Sequence, residues 1–172
     1  MLSTWIQIAA VVLIGLYLAW WRKGMLRQEA QTWETLLARL RTEWSARGLN
    51  NQFLWKEGLT SSPEEVWRNL EGPRGLWVIY QNARVMAEMA DYASKKYRGV
   101  DPLLIEMLHR DAVQIQASVL TAMTQYTFNR ASDSVRTNAY RAVSSYTGMA
   151  ARVTRLLQQN AGSMVPDFVA AM

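Results

Sequence analysis

The feature that most constrains the fold of this chain is an uncharged apolar segment near its N-terminus. Its twenty residues, from Leu2 to Trp21, read LSTWIQIAAVVLIGLYLAWW. A helix rises about 1.5 Å per residue, so a segment of this length spans about 30 Å, the thickness of the hydrocarbon core of a bilayer. The segment therefore predicts one transmembrane helix rather than a helix buried in a soluble core.

The residues that flank this segment predict its orientation. Aromatic residues suited to the lipid–water boundary lie near both ends, and cations follow at once, so the predicted membrane-anchor residues are Trp5, Tyr17, Trp20, Trp21, Arg22 and Lys23. A cleavable signal peptide would instead carry its positive charge before the apolar run and small residues at the cleavage site. The positive-inside rule predicts a single-pass protein of the inner (cytoplasmic) membrane, with the N-terminus outside and the C-terminal domain in the cytoplasm.

The rest of the sequence is patterned as amphipathic helices. Ser62-Pro63 and Asp101-Pro102 are typical helix starts, in which a capping residue precedes proline at the first helical position. No alternating strand pattern occurs in the sequence. The sequence predicts an all-α fold: the transmembrane helix continues through residues 25–47 into an antiparallel bundle of about four long helices plus a short one. The predicted domains are a membrane anchor with its basic flank (1–24), a cytoplasmic helical bundle (25–162) and an apolar C-terminal tail (163–172).

Apolar residues that recur at alternating steps of three and four predict which side chains form the core. One such stripe runs along residues 26–44, through Leu26, Ala30, Trp33, Leu37, Leu40 and Trp44. The helix after Asp101 carries Ile105, Leu108, Ala112, Ile115, Val119, Ala122 and Tyr126. The last long helix begins at Ser132 or Asp133 and carries Val135, Ala139, Ala142, Tyr146, Met149, Val153 and Leu156.

The residue types available for chemistry are few. The 172-residue chain has no Cys and one His, which excludes thiolate chemistry and a three-His zinc site within one chain. It also lacks a phosphate-binding Gly-rich loop and a nucleophile elbow. We therefore expect neither an enzyme nor a bound cofactor.

One remote possibility for a metal site remains. Glu106 and His109 have the Glu-x-x-His spacing of metal-carboxylate bundles, and Asp91 is about as far before the Gly99 turn as His109 is after it. A complete site of this kind needs two such motifs, so it would require a dimer of half-sites. The alternative is an ordinary polar pair on the helix surface.

The net charge of +5 is most uneven on the last long helix. Arg141, Arg152 and Arg155 fall within an arc of about 60° at 100° per residue. Such a face suits an acidic protein, anionic lipid head groups or nucleic acid, although nucleic acid is the least expected because no Lys/Arg-rich run accompanies it. The alternative is a solvated face.

Aromatic and apolar residues outside the stripes suggest contacts with partners. Trp55 and Phe53 in the loop after Gly48, together with Phe168 in the tail, are candidate partner-binding residues. The sequence therefore predicts a membrane-anchored structural or accessory subunit whose helical domain docks onto a larger membrane complex. The alternatives are a tethered scaffold or adaptor that binds an anionic partner through the Arg face, a self-associating homo-oligomer and, remotely, the dimeric metal protein. The expected partners are the bilayer and other protein subunits or further copies of the chain.

Overall fold

The computed structural model describes residues 32–41, 62–129 and 132–171. The chain divides into two units, Met1–Thr32 and Trp33–Met172, and nearly all described residues belong to the second. The predicted membrane segment, its basic flank, and Phe53 and Trp55 lie outside the described residues. Within the described ranges, no helix combines the length and the apolar character that crossing a bilayer requires.

The described part of the chain is helical and contains no strand. Its three long helices are α3 (Pro73–Lys96), α4 (Pro102–Phe128) and α5 (Asp133–Asn160). Its short helices are α1 (Trp33–Leu37), α2 (Pro63–Asn69) and α6 (Val165–Ala171), and the 3₁₀ turn Gly162–Met164 connects α5 to α6. The prediction of an all-α helical bundle is confirmed.

Side-chain caps explain where three of these helices begin. Ser62 and Glu65 form a capping box at α2, in which each side chain accepts a hydrogen bond from the other residue's backbone N–H. Asp101 accepts from the backbone of Leu103 at the start of α4, and Ser132 caps α5. The helix starts predicted from these residues are confirmed.

The three long helices pack against one another as an antiparallel bundle. Short connections join them, and residues equally far from each turn lie side by side. Across the turn between α3 and α4, Asp91 contacts His109. Across the turn between α4 and α5, Asn138 donates to Gln125.

The buried stripes of α4 and α5 form much of the core. Every residue of the predicted α5 stripe is buried. The α4 stripe is shifted by one residue at its start, because Leu104 is buried there while Ile105 is half-buried. The members of the α4 stripe that are buried as predicted are Leu108, Ala112, Ile115, Val119 and Ala122.

The prediction of one continuous helix over residues 25–47 is wrong after Leu37. Helix α1 has five residues, and the N–H groups of Arg39 and Leu40 bond to carbonyls only three residues back. The next N–H, that of Arg41, donates to the Asn82 side chain in α3 at 2.9 Å. A tertiary hydrogen bond therefore replaces the one that would continue the helix, although Trp33, Leu37 and Leu40 are buried as their spacing suggested.

Asn82 holds this segment in place from the middle of α3. Its side chain is buried, and its amide nitrogen donates both to the carbonyl of Arg41, at 3.2 Å, and to the hydroxyl of Tyr146, at 3.0 Å. Burial raises the pKa of Tyr146, and the hydrogen bond with Asn82 opposes that shift. One amide thus links the chain after α1 to both α3 and α5.

The prediction that Phe168 contributes to a partner-binding surface requires correction. Phe168 lies in α6, is 1% exposed and belongs to the hydrophobic core. Helix α6 contacts both α5 and α1. The apolar tail is therefore part of the helical unit, because folding back onto α5 removes this large side chain from water.

Close packing at the start of α3 predicts a large effect of Gly75→Ala. A Cβ atom at Gly75 would lie 2.1 Å from the backbone oxygen of Leu70, which cannot move without displacing the turn between α2 and α3. We expect the free energy of unfolding to fall by about 2–3 kcal/mol, measured by denaturant titration. Gly162→Ala is the matched control, since nothing lies within 4 Å of its added Cβ; equal losses in the two variants would contradict the packing argument.

Loss of the Asn82 side chain should also lower the free energy of unfolding, in this case because hydrogen bonds are lost. Asn82→Leu removes two hydrogen bonds to the backbone of Arg41 and one to the hydroxyl of Tyr146, so we expect the free energy of unfolding to fall by about 3 kcal/mol. Tyr146→Phe removes only one of the hydrogen bonds and should cost about 1 kcal/mol. Thermal and denaturant unfolding of both variants test this order, and a Tyr146→Phe loss as large as that of Asn82→Leu would contradict it.

Candidate functional site

The most distinctive surface of the described domain is the side of α4 that faces away from its buried stripe. Four large apolar residues are exposed there: Leu103 (62%), Val113 (67%), Leu120 (49%) and Phe128 (86%). Ala117 lies exposed among them. At 100° per residue these five residues fall within an arc of about 100°, and we refer to them as the α4 outer face.

The C-terminal two thirds of α4 lacks the charges expected of a solvent-facing helix, whereas exposed Glu106 and Arg110 lie on this face in its N-terminal third. The sequence has no charged residue between Asp111 and Arg130. Its threonine hydroxyls also turn back to their own helix: Thr121, Thr124 and Thr127 donate to the carbonyls four residues earlier at 2.8, 2.8 and 3.0 Å. The hydroxyls are thereby satisfied within the helix, so the surface can leave water without leaving them unpaired.

A shallow open hollow of about 450 Å³ lies on α4 at the N-terminal part of this face. It is lined by Glu106, His109, Arg110, Val113, Gln114 and Ala117. These residues form two overlapping sets with the spacing i, i+3, i+4, i+7. In coiled coils, four residues with that spacing form the hole that receives one side chain of a facing helix.

The residues proposed for a metal site are only partly brought together. The Nε2 atom of His109 lies 3.0 Å from an Asp91 carboxylate oxygen, which confirms that the two residues lie level across the turn. The Nδ1 atom lies 2.9 Å from the carbonyl oxygen of Ile105, so both ring nitrogens face protein oxygens. Glu106 accepts a hydrogen bond from Arg110 at 3.1 Å. Among the described residues, no three His, Asp or Glu side chains are grouped as a metal ion would require.

The three α5 arginines of the predicted Arg face differ in their surroundings. Arg152 forms an ion pair with Asp111 of α4, whereas Arg141 and Arg155 are exposed. Arg152 therefore has an intramolecular partner across the α4–α5 contact. This ion pair gives Arg152 a structural role and weakens the argument for the Arg face as a binding surface.

Burial dominates the electrostatics of Asp111. Its side chain is 16% exposed, and desolvation raises the pKa of the carboxyl above its usual value of 3.8. The positive charge and hydrogen bond of Arg152, and the charge of Arg110, act in the opposite direction and offset only part of this shift. The ion pair thus orients two helices without fully compensating the cost of removing a carboxylate from water.

The described tryptophans take different roles. Trp33 is buried and donates to the hydroxyl of Tyr97 at 2.9 Å. Trp67 packs against Tyr126 with the ring centroids 5.7 Å apart. Trp77 is 42% exposed and stacks on its neighbour Tyr80. Packing within the domain thus accounts for Trp33 and for much of Trp67, while Trp77 adds aromatic surface.

The apolar stripe that predicts the buried side of α4 does not include the α4 outer face. A second series at the same spacing runs through Leu103, Val113, Ala117 and Leu120. The absence of charge after Asp111 was the available signal, because a helix with one buried side usually places charged residues on the other. Comparison of the chain with protein-family models, curated proteins and solved structures finds no significant match.

The raised pKa of Asp111 predicts a pH-dependent effect of Asp111→Asn. A carboxyl whose pKa is higher in the folded than in the unfolded state contributes stability below its unfolded pKa and loses that contribution as pH rises through its folded pKa. The stability of the variant relative to the native chain should therefore increase as pH rises from about 4 to 7. Denaturant titrations across this range measure the difference; a relative stability that decreases with pH would contradict the stated shift.

Proposed function

We propose that this chain is a single-pass, membrane-anchored accessory subunit whose helical domain docks onto another protein subunit of a membrane assembly. The observation that carries this proposal is the α4 outer face, which is exposed, apolar and free of charge over its C-terminal two thirds. Docking would bury that face and leave the buried core unchanged.

The extent of the surface distinguishes it from ordinary exposed apolar residues. Single apolar side chains on a protein surface are common and need no explanation, whereas a contiguous apolar patch is typical of an interaction site. Here Val113, Ala117, Leu120 and Phe128 follow the C-terminal part of one helix without an intervening charge, and the threonines among them have internally bonded hydroxyls. A partner can cover this surface at little desolvation cost.

The spacing of the face favours a helix as the element that binds it. Leu103, Val113 and Leu120 fit one series of three- and four-residue steps, which is the pattern of a helix–helix seam. The hollow beside Ala117 has the residue spacing of a hole in such a seam. A helix of a partner protein that presents apolar side chains at matching intervals therefore fits the face better than a flat sheet does.

The membrane part of the proposal rests on the sequence. The uncharged segment Leu2–Trp21 and the cations after it support anchoring in the inner membrane, with the helical domain on the cytoplasmic side. Anchoring would confine the α4 outer face to the vicinity of other membrane proteins. The rate of productive encounters would rise because the effective concentration is higher.

Site-specific photo-crosslinking in cells that express the chain naturally tests this function. A photoreactive residue replaces Val113 on the α4 outer face, and the matched control replaces Ser144 on the exposed side of α5. We expect crosslinks to a protein in the membrane fraction from position 113 and few from position 144. Crosslinks that are equally absent at both positions would contradict docking through α4.

A deletion of residues 2–21 tests the anchor separately. We expect the full-length chain to require detergent for extraction and the shortened chain to appear in the aqueous fraction. A full-length chain that enters the aqueous fraction without detergent would contradict the membrane anchor, whatever the crosslinking result.

A further inference from the structure

We propose that the α4 outer face binds the same face of a second copy of this chain, with the two α4 helices antiparallel. This inference rests on the proposed function, because it names the occupant of the docking face. It follows from the order of large, small and charged residues along α4, from the hollow near its N-terminal half, and from the area that the face offers.

The residues of the face are complementary to themselves when one helix is reversed. The seam runs through residues 103, 106, 110, 113, 117, 120, 124 and 127, at steps of three and four. In an antiparallel pair centred between Val113 and Ala117, the larger Val113 lies opposite the smaller Ala117 of the second copy. Leu120 then lies opposite Arg110, and Leu103 lies opposite Thr127. Each copy repeats these contacts, as a two-fold interface requires.

In this register, the hollow on α4 can receive one side chain of the second copy. In the antiparallel arrangement, Leu120 of the second copy is level with the hole formed by Glu106, His109, Arg110 and Val113. Leu120 is 49% exposed, so its side chain is available to enter that hole. Two symmetry-related insertions of this kind would bury the apolar centre of the face on both chains.

The charges on the face do not repel a second copy when the two α4 helices are antiparallel. Glu106 and Arg110 are the charged residues of the seam, and they already pair with each other through a hydrogen bond of 3.1 Å. In the antiparallel register, they face the uncharged C-terminal half of the second α4 rather than their own counterparts. In a parallel pair, each would lie beside its identical charge, so electrostatics favour the antiparallel orientation.

The area of the face sets the strength of the pairing. A helix with 27 residues is about 40 Å long, and a contact strip about 10 Å wide gives roughly 400 Å² per copy. A standard stable interface takes about 800 Å² from each partner. The α4 pair alone is therefore a weak dimer, and confinement of both copies to one membrane would raise its occupancy.

Cysteine crosslinking of the full-length chain in detergent or bilayers tests the register directly. The chain has no native Cys, so Arg110→Cys and Leu120→Cys supply the only thiols, and Ser144→Cys on α5 is the control. With a short bismaleimide, we expect mixed Arg110→Cys and Leu120→Cys chains to form 110–120 products in preference to same-position products. A preference for same-position products would overturn the antiparallel register, and yields no higher than those of Ser144→Cys would overturn the pairing.

A charge substitution provides an independent measurement. Leu120→Arg places a cation in the hole beside Arg110 of the second copy, so we expect the dimer dissociation constant to rise about tenfold or more. Val169→Arg is the matched control, because Val169 is exposed to a similar extent, 47%, but lies on α6. Light scattering in detergent measures the dimer, circular dichroism checks that both variants are folded, and a folded Leu120→Arg chain with unchanged dissociation would overturn the proposal.

The outcomes also separate this inference from the proposed function. Photo-crosslinks from position 113 that contain other proteins and never a second copy would overturn self-pairing and leave docking supported. Products that contain two copies of this chain would support self-pairing and would identify the docked subunit as a second copy rather than a different protein. The absence of any product specific to position 113 would overturn both.

Discussion

Leu108, Ile115 and Val119 lie fully buried on α4, and their burial fixes which way the rest of that helix faces. Helices α3 and α5 both pack against α4, so its inward side is occupied for the whole length of the bundle. Because the side chains of a helix project in all directions around its axis, the opposite side must face out of this domain. The unusual composition of that side is therefore not explained by the packing of the described domain.

A second constraint acts through polar groups rather than apolar ones. Asn82 supplies both a donor and an acceptor to the backbone of Arg41 and also bonds Tyr146. A buried amide with these partners strongly favours one placement of the segment after α1, because any other placement leaves several polar groups unpaired. Apolar burial of Trp33 and Leu36 holds α1 against the bundle, while Asn82 fixes the backbone of Arg41 just after that helix.

The parts of the fold that the sequence predicts well are those governed by local rules. Every predicted member of the α5 stripe from Val135 to Leu156 is buried, because its period is regular. The stripe alone does not include Val143, Ala150 and Leu157, which α5 also buries. Helix starts at Ser62 and Asp101 were equally clear, because caps depend on neighbours in sequence. The path of the chain after α1 is not predictable in this way, because the side chain that bonds it, Asn82, is 41 positions from Arg41.

In the candidate site too, features set by neighbours in sequence are predictable, whereas features set by distant residues are not. Counting from the turn predicts that Asp91 lies level with His109, and the two are in contact, whereas Glu106 pairs with Arg110 instead of joining them. An apolar tail gives no indication of what it folds against, so the sequence suggests Phe168 as a partner-binding residue, whereas the structure buries it in the core.

Composition and hydrogen bonding together indicate what kind of contact the α4 outer face is built for. A helix buried on all sides carries apolar residues around its whole circumference. A helix that faced only water would gain solubility from charge, which this one lacks beyond Asp111. Val113 and Leu120, set among threonines that satisfy their own hydroxyls, form a surface intermediate between those cases. Burial of its apolar side chains is favourable, and its polar groups remain hydrogen-bonded whether the surface is buried or exposed. A reversible contact between protein subunits requires both properties.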